Sequence, residues 1–249
     1  MIYKFFKRLF DIIISLIALP FVLLVVLIFG PIIFFTDKGP IFYNAPRLGR
    51  KGKVFKMYKL RSMKVNSPNL KNADGSTYNG EDDPRVTKIG KFLRKTSLDE
   101  FPQFLNVLKG DMSFIGPRAH LTTNYKGYEL LDEPHRRRLD VRPGITGYNQ
   151  AYFRNSASSE QKMQNDVYYV EHISLWLDIK ILFKTIFSVL KRENIYVGEA
   201  STKPKQDAEA PVAAEENAAP IEQTVNAEQT VTAEQPTVAE EETVEVGKQ

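Results

Sequence analysis

The first residues of the chain combine an apolar and a charged face in a helical pattern. Apolar residues recur at positions i, i+3, i+4, i+7 and i+8, and they are Ile2, Phe5, Phe6, Leu9 and Phe10. The opposite face carries the charges, namely Lys4, Lys7, Arg8 and Asp11. This spacing predicts an amphipathic helix that lies at a membrane interface.

An uncharged run of 25 residues follows, from Ile12 to Thr36. As a straight helix it would extend about 37 Å, which is enough to cross a hydrocarbon core of about 30 Å. Pro20 lies inside this run, where proline removes one helix hydrogen bond and forces a kink. The run is therefore either a single transmembrane helix or a re-entrant helix that bends at Pro20 and returns to the same side.

Both flanks of the apolar run are basic, which favours the second alternative. Lys4, Lys7 and Arg8 precede the run, and residues 37–61 contain eight basic side chains against one acid, Asp37. Positive charge stays on the cytoplasmic side, so a spanning helix would export one flank and a re-entrant helix would keep both inside. We predict a re-entrant membrane segment over residues 1–36. A secretory signal peptide is disfavoured, because the run is too long and no small-x-small cleavage site follows.

The pattern after the membrane segment predicts a mixture of extended and helical structure. Residues 41–63 alternate short apolar runs with Gly and Lys, as in strands or a hairpin, and residues 64–84 form a long polar loop. The last amphipathic stretch, residues 173–190, contains Trp176 at a position that suits an anchor at the membrane interface. A helix packed in the core fits the same periodicity equally well. Helical periodicity predicts helices over 86–95, 100–109, 159–171 and 173–190.

Composition and charge divide the chain into a basic body and an acidic tail. The chain has 249 residues and no cysteine, which excludes disulfide scaffolds, cysteine-ligated metal sites and thiol catalysis. Residues 201–249 contain 11 acidic and 3 basic residues, a net charge of −8, so residues 1–200 carry a net charge of +12. The tail lacks aromatic residues and repeats a degenerate six-residue unit, which predicts disorder. It is either a solvated spacer or an acidic arm that shields the body or recruits a partner.

The segment 97–103 contains the most informative candidate chemistry. Ser97 and Glu100 have the spacing of a capping box, and Pro102 suits the first turn of a helix. Asp99 and Glu100 would then lie at a helix N-terminus, where the backbone N–H groups stabilise ionised carboxylates. Such a pair suits a carboxylate nucleophile, or a phosphate bridged by a divalent cation. Plain helix capping explains the same residues equally well.

Basic residues in turns around this segment favour the chemical interpretation. Arginine binds phosphate oxygens through two parallel hydrogen bonds, so several arginines together with a carboxylate pair suggest diphosphate chemistry with a metal. Arg136–Arg138 are more simply interpreted as a site for anionic lipid. The three histidines have no metal-ligand spacing and are interpreted as structural or surface residues. The basic neighbours of the segment are Lys59, Arg61, Arg94, Arg118 and Arg142.

These motifs together resemble a known family. Segments 83–103, 106–118, 141–147 and 166–170 are similar to those of the bacterial sugar transferases, the small monotopic polyprenyl-phosphate phosphoglycosyl transferases. The resemblance covers about residues 3–195 and excludes the tail. It implies a helix-rich α/β fold with a re-entrant N-terminal helix and interfacial amphipathic helices around a compact catalytic domain, residues 37–200.

The resemblance also implies a reaction and a location. The family transfers a sugar 1-phosphate from a UDP-sugar to undecaprenyl phosphate and releases UMP, as the first membrane step of glycan assembly. It uses Mg²⁺ and a covalent phospho-sugar enzyme intermediate, and downstream glycosyltransferases would extend the product. Its catalytic domain lies on the cytoplasmic face of the bacterial inner membrane, in contact with membrane lipid.

Carried over by position, the family's site residues fall on the candidates above. Asp99 would be the nucleophile and Glu100 its partner, and either carboxylate would contact the metal. Lys59, Arg94, Arg118 and Arg142 would hold phosphates.

Two other classes of function are weighed against this enzyme. A non-enzymatic membrane adaptor would combine a spanning helix, a basic lipid-binding domain and an acidic recruiting tail. A nucleic-acid binder is disfavoured, because the basic residues occupy Gly/Pro turns without a helix-turn-helix or an aromatic-basic RNA motif.

Overall fold

A computed structural model of the chain describes residues 2–70, 78–80, 82–122, 125–153 and 156–191. The predicted tail, residues 201–249, lies outside the described residues, as does part of the predicted loop 64–84. The described part is helix-rich and contains two small sheets, which confirms the helix-rich α/β class.

The N-terminal pattern forms one long helix, α1, over Ile2–Asp37. Pro20 and Pro31 lie inside it without ending it, so the predicted bend at Pro20 stays a prediction. By length and composition this is the one helix among the described residues that could cross or enter a membrane. One stripe of α1 is buried against the body, and it includes Asp11, Ser15, Val22, Val25 and Ile33. The remaining surface exposes large apolar side chains, among them Phe5, Ile13, Ile17, Phe21, Leu24, Leu27 and Phe35.

Two small sheets form the β part of the fold. Strands β1 (Ala45–Leu48), β2 (Val54–Met57) and β4 (His120–Leu121) form an antiparallel sheet in the order β2-β1-β4. The register places Ala45 opposite Met57 and Arg47 opposite Phe55. Strands β3 (Ser113–Ile115) and β5 (Gly144–Thr146) form a parallel pair. The predicted extended segment 41–63 is therefore confirmed as a β1–β2 hairpin with flanking bridges.

The helices confirm most of the predicted periodicity. Helix α6 (Ser159–Glu171) has the predicted bounds, and Ser158 begins it with a complete capping box. Helices α2 (Lys88–Thr96) and α7 (Leu175–Lys191) lie within two residues of their predicted ends. The predicted helix 100–109 is instead a 3₁₀ turn followed by a shorter helix. The remaining helices are α3 (Gln103–Lys109), α4 (Glu133–Arg138) and α5 (Tyr148–Tyr152), and 3₁₀ turns lie at Arg50–Gly52, Leu98–Glu100 and Tyr128–Leu130.

The capping box predicted at Ser97 is wrong. Ser97 has φ 58° and ψ 17°, a left-handed conformation that ends α2, and its side chain makes no capping hydrogen bond. The left-handed residue redirects the chain, so Asp99 and Glu100 occupy the 3₁₀ turn that precedes α3. The lipid interpretation of Arg136–Arg138 also needs correction. Arg138 is buried in an ion pair with Asp166, whereas Arg136 and Arg137 remain near the surface.

Three apolar clusters hold the body together. The first joins α1 to α2 and to the segment that follows β2, and it contains Val25, Ile33, Leu60 and Leu93. The second lies under the β1–β2 hairpin and contains Phe55, Met57, Val107 and Met112. The third contains Ile115, Ala151, Tyr169 and Ile181. Helix α7 therefore packs one face in the core, and its other side exposes Trp176, Phe183 and Phe187.

Candidate active site

The 3₁₀ turn Leu98–Glu100 presents the two adjacent carboxylates, and long-range contacts hold this turn in place. Leu98 packs against the first apolar cluster, next to Leu60. The backbone N–H of Leu60 donates to the carbonyl oxygen of Asp99 at 2.9 Å. The segment that follows β2 is thereby aligned with the turn, and Lys59 is placed beside the carboxylates.

Asp99 is buried and faces the Lys59 ammonium. Only 2 % of Asp99 is exposed, and its Oδ2 lies 2.8 Å from Lys59 Nζ. This ion pair with Lys59 is the one polar contact of Oδ2 among the described residues. Burial alone would lower the pKa of Lys59, but the charges of Asp99 and Glu100 outweigh it and raise that pKa. The site therefore holds a positively charged Lys59 against the buried Asp99 carboxylate.

Glu100 lies between two cations. Its Oε1 accepts hydrogen bonds from Lys59 Nζ at 3.3 Å and from Arg118 Nη2 at 3.1 Å. Burial opposes ionisation, but Arg118 and Lys59 lower the pKa of Glu100 to about 2. Glu100 in turn raises the pKa of Arg118. Glu100 is therefore ionised at neutral pH and orients both cations around Asp99.

The parallel pair β3–β5 positions Arg118. After β3 the chain turns through Gly116 and Pro117, and the N–H of Gly144 donates to the carbonyl oxygen of Pro117 at 2.8 Å. A Cβ on Gly144 would lie 2.1 Å from the nitrogen of Gly116, so only glycine permits this backbone approach. The close contact brings Arg118 next to the dyad of Asp99 and Glu100.

The other two predicted phosphate-binding residues, Arg94 and Arg142, donate hydrogen bonds to groups outside the dyad. Arg94 lies on α2 beside the site, where Nε donates to Ser62 Oγ at 3.0 Å and Nη1 to Asn79 Oδ1 at 3.3 Å. Arg142 lies at the opposite end of α3, where its Nε donates to the carbonyl oxygen of Gly110 at 2.8 Å. Of the four predicted residues, the structure brings Lys59 and Arg118 into contact with the dyad.

A second layer of charge lies behind Arg118 and was not predicted from the sequence. Arg138 donates to the carbonyl oxygen of Arg118 at 3.1 Å and pairs with buried Asp166. Burial lowers the pKa of neighbouring His120 to about 3, and the surrounding arginines add to this effect. Arg47 and Gln103 were also missed, although they line a cavity with Arg118. The only signal for Gln103 was its place in the segment 97–103.

The described residues contain no cluster of three or more His, Cys, Asp or Glu side chains that could hold a metal alone. Asp99 and Glu100 provide two adjacent carboxylates, one fewer group than such a cluster needs. Mg²⁺ commonly binds one or two carboxylates and completes its coordination with water and substrate phosphates. The adjacent carboxylates of Asp99 and Glu100 therefore offer the kind of donor oxygen that a magnesium ion arriving with a diphosphate would use.

Comparison with known proteins identifies the family of this chain. The sequence profile of a family described as bacterial sugar transferase matches residues 2–192. The chain belongs to the bacterial sugar transferase family.

Three relatives are similar to about three quarters of this chain. A UDP-glucose:undecaprenyl-phosphate glucose-1-phosphate transferase from Klebsiella pneumoniae is 40% identical over 196 residues, which are 77% of this chain and 41% of the relative. A UDP-N-acetylgalactosamine-undecaprenyl-phosphate N-acetylgalactosaminephosphotransferase from Aeromonas hydrophila is 39% identical over 76% of this chain and 44% of its own length. An uncharacterized sugar transferase, EpsL, from Bacillus subtilis is 40% identical over 76% of this chain and 89% of its own length. The chain thus spans less than half the length of the first two relatives.

Proposed function

We propose that this protein transfers a sugar 1-phosphate from a UDP-sugar to undecaprenyl phosphate and releases UMP. The observation that carries the proposal is the buried Asp99 carboxylate, held 2.8 Å from Lys59 beside a Glu100 that also binds Arg118. Relatives with this reaction in their names support it. Those names specify different sugars, so the proposal covers the sugar 1-phosphate class and names no single sugar.

The reaction proceeds in two displacements at one phosphorus atom. An Asp99 carboxylate oxygen attacks the phosphorus that bears the sugar, and the bond to the bridging oxygen breaks with release of UMP. A phosphate oxygen of undecaprenyl phosphate then attacks the same phosphorus, which breaks the bond to Asp99 and restores the carboxylate. Lys59 and Arg118 stabilise negative charge on the diphosphate, and Glu100 keeps them oriented.

Magnesium is the proposed cofactor, held by Asp99 and Glu100 together with the substrate phosphates. When bound, it supplies Lewis-acid neutralisation of the diphosphate charge.

We propose that α1 enters the membrane from the cytoplasmic face of the bacterial inner membrane and returns to it. Both ends of α1 contact the same body. Near its start, Lys7 Nζ lies 2.9 Å from Asp178 Oδ2, and near its end Arg61 Nη1 lies 2.6 Å from Asp37 Oδ2. A perpendicular span would carry one of these ends about 30 Å away across the hydrocarbon core. The lipid-linked product would then serve downstream glycosyltransferases on that face.

The membrane-adaptor hypothesis is not favoured. It assigns no role to a carboxylate dyad that is buried against Lys59 and Arg118.

Replacing Asp99 by Asn tests the proposal. With a panel of UDP-sugars, undecaprenyl phosphate and Mg²⁺, the wild-type chain is expected to release UMP with at least one donor. Asp99→Asn removes the nucleophile, so release is expected to fall by more than about a thousandfold. The matched control is Asp82→Asn, because Asp82 is exposed and outside the site, and it is expected to keep normal activity. Near-normal release by Asp99→Asn would exclude the covalent mechanism.

A further inference from the structure

A cavity next to the dyad contains polar groups that the proposed mechanism leaves without a role. Arg118 connects the cavity to the dyad, because its Nη2 donates to Glu100 Oε1 at 3.1 Å. The cavity is lined by Arg47, Met57, Gln103, Arg118, Ala119 and Gly144.

Arg47 has no carboxylate partner in the part of the chain that the structure describes. Its register opposite Phe55 places its side chain on the sheet face where Phe55 and Met57 are buried. Its one hydrogen bond there runs from Nη1 to the carbonyl oxygen of Pro46, at 3.3 Å. Burial and the nearby charge of Arg118 lower the pKa of Arg47. Glu100 pairs with Arg118 but not with Arg47, so the two neighbouring guanidinium groups leave a positive charge that an anion would neutralise.

Gln103 contributes a buried polar group to the same cavity. It begins α3, and only 3 % of the residue is exposed. Its side-chain amide has no hydrogen-bond partner within the described ranges, yet it lines the cavity. An amide carries both donors and an acceptor, and in this cavity both remain available to a ligand. A ligand with a polar neutral part next to its anion would satisfy both Gln103 and Arg47.

We propose that Arg47, Gln103 and Arg118 bind the nucleotide half of the donor. The two guanidinium groups bind its phosphate, and the Gln103 amide bonds to a polar group of the nucleoside. The assignment rests on the proposed function and adds two residues to it. The lipid carrier is the other phosphate substrate, but it has only an apolar chain beyond its phosphate and offers the amide no partner.

Titration of the purified full-length chain with UMP, followed by calorimetry, tests this site without requiring turnover. Arg47→Met removes the unpaired charge at similar length and is expected to weaken UMP binding at least about tenfold. Gln103→Glu is the sharper variant. Its carboxylate would pair with Arg47 and Arg118, so the melting temperature is expected to stay the same or rise while UMP binding weakens at least about tenfold. Arg137→Met, at the surface, is the control and is expected to bind UMP normally.

The outcomes separate this site from the proposed function. Weaker UMP binding by Gln103→Glu at an unchanged or higher melting temperature supports the site, even if no UDP-sugar is turned over. UMP affinity within about twofold of wild type in both variants would overturn it, and so would a wild-type chain that binds no UMP. A raised KM for undecaprenyl phosphate with unchanged UMP affinity would also overturn it, because the cavity would then serve the carrier.

Discussion

Glu100→Gln removes one negative charge from between two cations and keeps the size of the side chain. The ordinary pKa of a glutamate is 4.5 here, and Lys59 and Arg118 lower that of Glu100 to about 2. The difference of about 2.5 corresponds to about 3 kcal/mol in favour of the ionised form in the folded state at pH 7. The Glu100 side chain is 19% exposed, so solvent screens this interaction only weakly. We therefore expect Glu100→Gln to lower the free energy of unfolding by about 3 kcal/mol at neutral pH.

The same pKa values determine how this loss depends on pH. Because the folded pKa lies below the unfolded one, the stabilisation by Glu100 is complete above about pH 4.5 and is lost as the pH falls towards 2. The difference between wild type and Glu100→Gln should shrink to about 1 kcal/mol near pH 3. Urea unfolding in detergent, followed by circular dichroism at about pH 7, 5 and 3, measures it. Glu129→Gln is the control, since that side chain is 83% exposed. A loss under about 1 kcal/mol at pH 7, or one that does not change with pH, would refute the electrostatic reasoning.

Two further predictions concern α1. Asp178→Asn breaks the ion pair with Lys7, so we expect it to lower the free energy of unfolding, measured in urea, by about 3 kcal/mol. A loss under about 1 kcal/mol would show that this contact does not hold α1. Lys4→Cys and Lys38→Cys place single thiols at exposed positions near the two ends of α1, in a chain without native cysteine. Both are expected to resist a membrane-impermeant maleimide in intact cells and to react in inside-out vesicles, whereas a spanning helix would expose one of them to the outside.

Local patterns in the sequence were sufficient to predict the elements whose residues interact mainly with their neighbours in the chain. Helix α6 was predicted with its bounds from helical periodicity, and in the structure Ser158 and Gln161 form a capping box at its start. The long apolar helix followed from an uncharged run, and the dyad from two adjacent acids. The turn at Ser97 was mispredicted because its left-handed conformation ends α2, an outcome that capping-box spacing does not reveal.

The relative positions of the basic residues required the folded chain. Lys59, Arg94, Arg118 and Arg142 are equivalent candidates in the sequence, because only their positive charge and their motifs single them out. Only tertiary contacts distinguish them: the N–H of Leu60 aligns Lys59 with the dyad, and the parallel strands bring in Arg118.

The amino-acid pattern is therefore enough to predict an apolar membrane helix, a basic body and an acidic dyad, since these depend on hydrophobicity and charge summed over short segments. The tertiary structure decides which cations neutralise the dyad and which polar groups stay without a partner. Those properties depend on distances of a few ångströms between residues far apart in the chain. Arg47 and Gln103 are separated by more than fifty positions, yet they line one cavity beside Arg118.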